Sequence, residues 1–145
     1  MTTAYEITKK VISGEAPPPP IAQLIGFHPL SAADGAAVFE MDADERHWNP
    51  MGTLHGGVLC DIADAAMGFA YATKLEEGES FSTVELKINF LRPVWKGRLR
   101  ASARIVKKGR KIGLVECDVT DEKGNLVARA SSTCMTLSGD DARSR

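Results

Sequence analysis

The sequence contains few cysteines, few aromatic residues and no surplus of charge of either sign. Its three cysteines, Cys60, Cys117 and Cys134, are odd in number, widely spaced and set among apolar residues. That distribution indicates reduced thiols and argues against a disulfide framework, and none of the spacings is that of a zinc site. The formal net charge of −1 and the 6% aromatic content likewise give no support to a nucleic-acid-binding protein.

Long hydrophobic runs are also lacking. The most apolar segment, 58–72, is too short to cross a bilayer and carries two aspartates. No basic stretch followed by an apolar one indicates a secretory leader, so we expect a cytoplasmic protein that does not associate with membranes. The composition, 43% hydrophobic and 26% charged in 145 residues, predicts one domain with one core.

The chain divides into an arm, a domain and a tail. Residues 1–20 are expected to be an N-terminal arm, weakly helical over 3–13 and continued by the proline-rich linker Pro17–Pro20, which favours an extended chain. Residues 21–138 are expected to form the single folded domain. Residues 139–145 are expected to be a disordered tail.

Within the domain, the pattern predicts an α+β fold. A short helix around 21–24 leads to a hairpin that turns at Asp34-Gly35, and a long helix follows over 56–74. Short connections between long alternating strands predict antiparallel pairing. Only the apolar helix is long enough to cover the sheet, so we expect a curved antiparallel sheet wrapped around one central helix. The last four strands are predicted at Ser82–Leu91, Gly97–Val106, Ile112–Thr120 and Leu126–Leu137.

A glycine-rich turn, Gly56-Gly57, begins the long helix. Unpaired backbone N–H groups and the helix dipole make such a position suitable for binding a carbonyl oxygen that becomes an oxyanion. The alternative is that the glycines only provide a tight entry to a buried helix. His55 could orient a polar group there or only fix the turn, and Asn49 could donate to a carbonyl or only form an Asx turn.

Two aspartates lie in the apolar helix. Asp61 and Asp64 are three residues apart and share one side of it, where we expect a buried and therefore costly carboxylate. Asp64 lies eight residues beyond Gly56, about 12 Å along a regular helix, which is too far for both to act on one carbonyl carbon. If both are catalytic, they belong to different helices, and the site lies between the two subunits of a dimer.

Basic residues form a cluster between positions 92 and 111. They are either a solvated strand face that discourages aggregation or a surface that binds the phosphates of a small anionic ligand. No acidic residue interrupts the series, which comprises Arg92, Lys96, Arg98, Arg100, Arg104, Lys107, Lys108, Arg110 and Lys111.

Together these residues resemble the hotdog-fold acyl-CoA thioesterases of the phenylacetate-pathway and 4-hydroxybenzoyl-CoA type. The likeness rests on the order and spacing of Asn49-x-x-Gly52-x-x-His55-Gly56-Gly57, Asp64 and the segment 82–93, which ends in Leu-Arg-Pro. It covers roughly 22–137. The resemblance implies an antiparallel sheet around a long helix and a homodimer, often arranged as a dimer of dimers.

The resemblance also assigns roles. Asp64 would be the nucleophile or the general base toward water, and the Gly56 N–H would polarise the thioester carbonyl, with Asn49 and His55 holding it. Thr83 would orient water or the acid. Asn49 and Gly56 would come from one subunit, and Asp64 and Thr83 from the other. The role of Asp61 is left open.

Such a site needs no metal and no cofactor, since the thiolate is a good leaving group and coenzyme A enters only as part of the substrate. The acyl group could be aromatic, short-chain or medium-chain. One alternative is a hotdog hydratase or dehydratase, which needs an Asp–His pair placed for proton transfer at carbon. A non-catalytic acyl-CoA-binding or sensing module is the other.

Overall fold

One antiparallel sheet of six strands and one long helix make up most of the structure, a computed structural model that describes residues 4–144. A 3-10 turn at Glu45–His47 precedes the long helix. The elements are α1 Ala4–Ser13, α2 Pro20–Ile25, β1 Phe27–Ala33, β2 Ala36–Ala43, α3 Gly56–Ala72, β3 Ser80–Phe90, β4 Gly97–Lys108, β5 Ile112–Thr120, β6 Leu126–Leu137 and α4 Asp140–Arg143.

The strands follow the order β1-β2-β4-β5-β6-β3, and every neighbouring pair is antiparallel. Helix α3 packs against all six strands. The prediction of a curved antiparallel sheet around one central helix, the hotdog fold, is therefore confirmed.

The order of the strands in the sheet differs from their order along the chain. Only a short segment joins β3 to β4, yet these two strands are not neighbours. Instead β3 lies at the sheet edge beside β6, and β4 lies between β2 and β5. The connection 91–96 can span about 20 Å when extended, which is enough to pass two strands spaced about 4.8 Å apart. Its backbone pairs with other partners on the way, since Leu91 N–H donates to Val127 O and Val94 O accepts from Leu54 N–H.

Helix α3 occupies the centre because its inner side is apolar and small. Ile62, Ala63, Ala66, Met67 and Ala70 have no exposed surface. Alanine side chains let the sheet approach the helix backbone closely, and buried area of this kind is the main stabilising contribution to such a fold. The face of α3 that carries the two aspartates is the side that the strands leave uncovered.

The arm and the tail differ from the expected appendages. Helix α1 packs against β1 and α3, and α4 forms in the expected tail with Ala142 buried. Helix α2 begins at Pro20, since proline suits the first position of a helix, where an N–H has no partner to lose. Between residues 4 and 144, no helix has the length and apolarity needed to cross a membrane.

Candidate functional site

The acid of the site lies on the uncovered face of α3. Asp64 Oδ1 accepts a hydrogen bond of 3.0 Å from the Thr83 hydroxyl. Thr83 precedes an irregularity in the pairing of β3 with β6, between positions 83 and 85, and irregularities of this kind re-aim side chains. The expectation that Asp64 is buried is wrong for the single chain, in which it is exposed, because the sheet packs mainly on the other sides of α3, where Ala63 and Ala66 have no exposed surface.

Asp61 lies one turn earlier on the same face and is half-buried. Burial raises the pKa of its carboxyl above the ordinary value, and the neighbouring charge of Asp64 raises it further. The two carboxylates therefore make this face of the helix negatively charged. The hydroxyl of Thr83 donates to one oxygen of Asp64. This arrangement leaves one oxygen of Asp64 available to water or to an acyl carbon.

Both aspartates line a cavity of about 260 Å³. All other side chains of the lining are apolar, and several come from the arm and from the strands next to it. The lining comprises Val11, Pro19, Ile21, Ala22, Phe27, Pro29, Phe39, Asp61, Asp64, Ala65 and Phe69.

The beginning of α3 forms the second part of the site. His55 is the N-cap residue, and its Nδ1 accepts a hydrogen bond of 2.9 Å from Gly57 N–H. This pattern assigns the ring proton to Nε2, so the imidazole fixes the turn while its outer N–H can still donate. No acceptor for Gly56 N–H occurs among residues 4–144, and this N–H is the group that could bind an oxyanion.

Packing also favours glycine at position 56. A Cβ at this position would lie 2.7 Å from Phe90 Cζ, while a Cβ at Gly57 would lie 2.9 Å from His55 Nδ1. The Phe90 ring thus rests against the first residue of the helix. Sequence reasoning did not assign Phe90 to the site, because only the sheet topology brings the end of β3 to this position.

Asn49 holds the loop before the helix. Its Oδ1 accepts from the backbone N–H groups of Met51 and Thr53, at 2.9 and 3.2 Å, and its Nδ2 donates to Thr53 Oγ1 at 2.9 Å. The side chain therefore forms the Asx turn that the sequence left open as an alternative. One amide hydrogen remains for a ligand after these bonds are made.

The two parts of the site are separate within one chain. Asn49 and Gly56 line a second cavity beside Phe90 and Arg92, and this cavity shares no lining residue with the one that contains Asp61 and Asp64. Helix α3 is continuous from Gly56 to Ala72, so the eight-residue separation of Gly56 and Asp64 corresponds to about 12 Å. Within a single chain, Asp64 and the Gly56 N–H are therefore too far apart to act on one carbonyl carbon.

The basic cluster divides into paired and unpaired residues. The five residues from Arg92 to Arg104 each lie within 4 Å of a carboxylate on a neighbouring loop or strand, a pattern that sequence order could not reveal. The remaining four surround the turn between β4 and β5 and form no ion pair with residues 4–144. We call these four, Lys107, Lys108, Arg110 and Lys111, the basic hairpin.

No set of three or more His, Cys, Asp or Glu side chains is placed to hold a metal ion within residues 4–144. Cys60, Cys117 and Cys134 are free thiols. Burial raises the pKa of the Cys117 thiol to about 12, which makes that group unreactive as a nucleophile. Asp64 is thus the candidate group for reacting with a carbonyl, and the Gly56 amide is a candidate for polarising one, together with the remaining N–H groups of His55 and Asn49.

Fold and site together define a hotdog protein that carries a carboxylate on its central helix and an open amide at the helix start. Residues 51–128 match the model of the Thioesterase superfamily. A mouse relative named acyl-coenzyme A thioesterase 13 is 30% identical over 106 residues, which are 72% of this chain and 75% of the relative.

Two similar solved structures point to the same family. A phenylacetic acid degradation-related protein from Ralstonia eutropha JMP134 is 34% identical with a TM-score of 0.80, covering 88% of this chain and 98% of its own. A thioesterase from Haemophilus influenzae is 27% identical with a TM-score of 0.77, covering 81% and 82%. The chain belongs to the thioesterase superfamily and is a thioester hydrolase.

Proposed function

We propose that the protein hydrolyses acyl-CoA at two equivalent sites, each formed by two copies of the chain. The observation that carries this proposal is the separation of Asp64 and Gly56 along one continuous helix. Two antiparallel copies of α3 would bring the acid of one chain to the helix start of the other. The name of the mouse relative supports acyl-CoA as the substrate class.

The chemistry follows from these groups. Asp64 either attacks the thioester carbonyl, giving an anhydride that water opens, or removes a proton from water that attacks directly. In both routes a C–O bond forms, the C–S bond breaks, and the proton from water ends on the released thiolate or on solvent. The Gly56 N–H of the other chain stabilises the oxyanion, and the Thr83 hydroxyl orients Asp64.

A comparison of the two edge strands of the sheet, β1 and β3, supports β3 as the strand that faces the second copy. Strand β1 contains Pro29, which cannot donate to another strand, and it is packed against α1. Strand β3 has no proline, and Val84 and Phe90 on it are more than half exposed. An open, partly apolar edge of this length is suited to association with an identical edge. We propose a homodimer built on β3, which could pair further as a dimer of dimers.

The basic hairpin is the part of the basic cluster that we propose for the phosphates of coenzyme A. Its charges are free of carboxylate partners within the described chain, whereas Arg98, Arg100 and Arg104 already contact Asp42, Glu40 and Glu116. A phosphate meets less competition where no carboxylate is already bound.

Asp64→Asn tests the proposal. The change preserves size and the acceptor for Thr83 but removes the base or nucleophile, so kcat for acyl-CoA should fall by at least about 100-fold. Release of free thiol from a panel of acyl-CoAs measures it. Asp42→Asn is the matched control, because Asp42 is an exposed carboxylate on the outer face and should leave kcat unchanged.

Retained turnover in Asp64→Asn would refute the catalytic assignment. A non-catalytic binding module would bind acyl-CoA in calorimetry and release no thiol in the wild-type protein. A hydratase would instead add water to an enoyl-CoA. His55 Nδ1 already accepts from Gly57 N–H, so the ring can donate to a carbonyl through its other nitrogen but has no free nitrogen to accept a proton, which argues against the Asp–His pair of that reaction.

A further inference from the structure

We propose that the N-terminal arm forms a wall of the acyl-binding cavity, and that this cavity selects uncharged acyl groups of limited length. The inference rests on the proposed function, since it takes Asp64 as the group that reacts with the acyl carbon. It assigns a role in specificity to residues that lie outside the 51–128 segment shared with the superfamily model.

The arm reaches the cavity at two points, Val11 on α1 and Pro19 in the linker, which line the same space as Asp64. Ile21 on α2, just beyond the arm, lines it as well. Opposite them, the wall consists of Phe39 on β2 and Phe69 on α3, whose rings meet edge to face with centroids 4.8 Å apart. A group bonded to the carbon beside Asp64 therefore extends between a rigid aromatic wall and the arm.

Packing of α1 against β1 and α3 holds the arm in this position, and local hydrogen bonds order it internally. Helix α1 ends at Ser13, after which Gly14 N–H donates to Val11 O and Ala16 N–H donates to Lys10 O. Gly14 has φ +79°, a conformation that glycine adopts without strain. Farther along, Gln23 Nε2 donates to Pro18 O at 2.7 Å. The prolines limit the conformations of the linker, which lowers the entropy lost when the arm is ordered.

The size of the cavity limits the acyl group. A cavity of about 150 Å³ lined by apolar side chains holds one benzene ring, and this one measures about 260 Å³. It can therefore accommodate an aromatic ring or a medium-length alkyl chain. Apolar surface of the acyl group buried here should contribute roughly 25 cal/mol per Å² to binding.

The charge of the cavity excludes a second class of acyl group. Asp61 and Asp64 are the polar side chains of its lining, and no cation faces them from it. A carboxylate at the far end of an acyl chain would lose its hydration among apolar side chains, in a cavity whose charged lining groups are both acidic. Acyl groups such as succinyl should therefore be poor substrates compared with uncharged groups of equal length.

Variants at Val11 test the wall. Val11→Phe fills the cavity from the arm side, so kcat/KM for octanoyl-CoA and phenylacetyl-CoA should fall about 10-fold or more relative to kcat/KM for butyryl-CoA. Val11→Ala enlarges the cavity and should move the preferred chain length upward by one or two carbons. Ile7→Phe is the matched control, since Ile7 is on the same helix, half-exposed and off the cavity.

Asp61→Asn tests the charge. In the wild-type protein, kcat/KM for butyryl-CoA should exceed that for succinyl-CoA about 10-fold or more, and the variant should reduce this ratio. If hydrolysis depends on Asp64 but neither Val11 variant changes the length profile, the arm is not a wall of the site and the inference is wrong. If no acyl-CoA is hydrolysed by the wild type, the proposed function itself fails. Thermal unfolding monitored by circular dichroism shows that each variant is folded.

Discussion

Gly56 combines a packing contact with a candidate chemical role. The Phe90 ring lies against its Cα, and its N–H is the open donor at the start of α3. An alanine would therefore disturb the contact but keep the donor. A proline would remove the donor while remaining compatible with the first position of a helix, because His55 before it already has the extended conformation that precedes proline.

The pair Gly56→Pro and Gly56→Ala separates these two requirements. Both variants add a Cβ that Phe90 must accommodate, and the exposed ring can move. Loss of an oxyanion donor lowers kcat by roughly 100- to 1000-fold, so we expect Gly56→Pro to be slower than Gly56→Ala by about that factor. Thiol-release kinetics with thermal unfolding as the folding control measures this. Equal rates for the two variants would show that the Gly56 N–H is not the donor.

Asp61 should make stability depend on pH. Its pKa is raised in the folded protein above the ordinary 3.8, so folding disfavours the ionised form. At pH values above the raised pKa, ionised Asp61 lowers the free energy of unfolding. This destabilisation disappears as the pH falls through the raised pKa toward 3.8. Asp61→Asn should therefore unfold at a higher temperature than wild type at pH 7, with a smaller difference at pH 4. Thermal unfolding monitored by circular dichroism at both pH values tests the sign.

At the scale of elements, ion pairs join the outer faces of β2, β4, β5 and β6. Arg100 contacts Glu40 at 2.9 Å, and the Glu40 side chain is only 10% exposed, whereas Asp42, the partner of Arg98, is 70% exposed. The alternating basic residues of β4 are therefore explained by their neighbours in the sheet. Part of the basic cluster is therefore a set of ion pairs between neighbouring strands.

Replacing each arginine by methionine should show the difference. Arg100→Met leaves a mostly buried carboxylate without its partner and should cost about 1–3 kcal/mol of unfolding free energy. Arg98→Met interrupts an exposed pair and should cost less than about 0.5 kcal/mol. Urea unfolding of both variants provides the comparison. Similar losses at the two positions would mean that Glu40 is well hydrated in solution.

For the whole molecule, the distribution of the site over two chains can be tested by mixing subunits. Asp64→Asn and Gly56→Pro chains are each expected to be inactive as homodimers. In a mixed dimer, one site receives both defects and the other receives neither, so co-refolding equal amounts should restore about a quarter of the wild-type turnover. Sites contained within single chains would give no recovery.

A double variant provides the converse control. When Asp64→Asn and Gly56→Pro are placed in one chain and mixed with wild type, each site of the mixed dimer receives one defect, so the mixed dimer should be inactive. Sedimentation or light scattering on the same samples confirms that the subunits associate. Turnover from the mixed dimers of this control would contradict the two-chain site.

Much of the local structure followed from the sequence. The predicted starts and ends of β4, β5 and β6 agree with the structure to within two residues, since Gly109, Asp121 and Gly124 mark their turns. The start of α3 at Gly56 agrees as well. These features depend on periodicity and on turn residues, which act over a few positions along the chain.

The position of β3, the ion pairs of β4 and the contact of the arm with the site were not predictable in this way. Each depends on residues far apart in sequence, such as Arg100 with Glu40 or Val11 with Asp64, and a six-residue connection is compatible with more than one partner strand. The exposure of Asp64 also differed from expectation, because an apolar helix can be covered by a second chain as well as by its own.

The sequence by itself determined the candidate residues for the chemistry and how far apart they lie along α3, because a regular helix converts residue spacing directly into distance. Only the tertiary structure decided what surrounds them, because strand order and arm packing are set by buried area summed over the whole chain. The structure therefore brings the arm, Phe39 and Phe69 to Asp64 and leaves the amide of Gly56 in a different cavity.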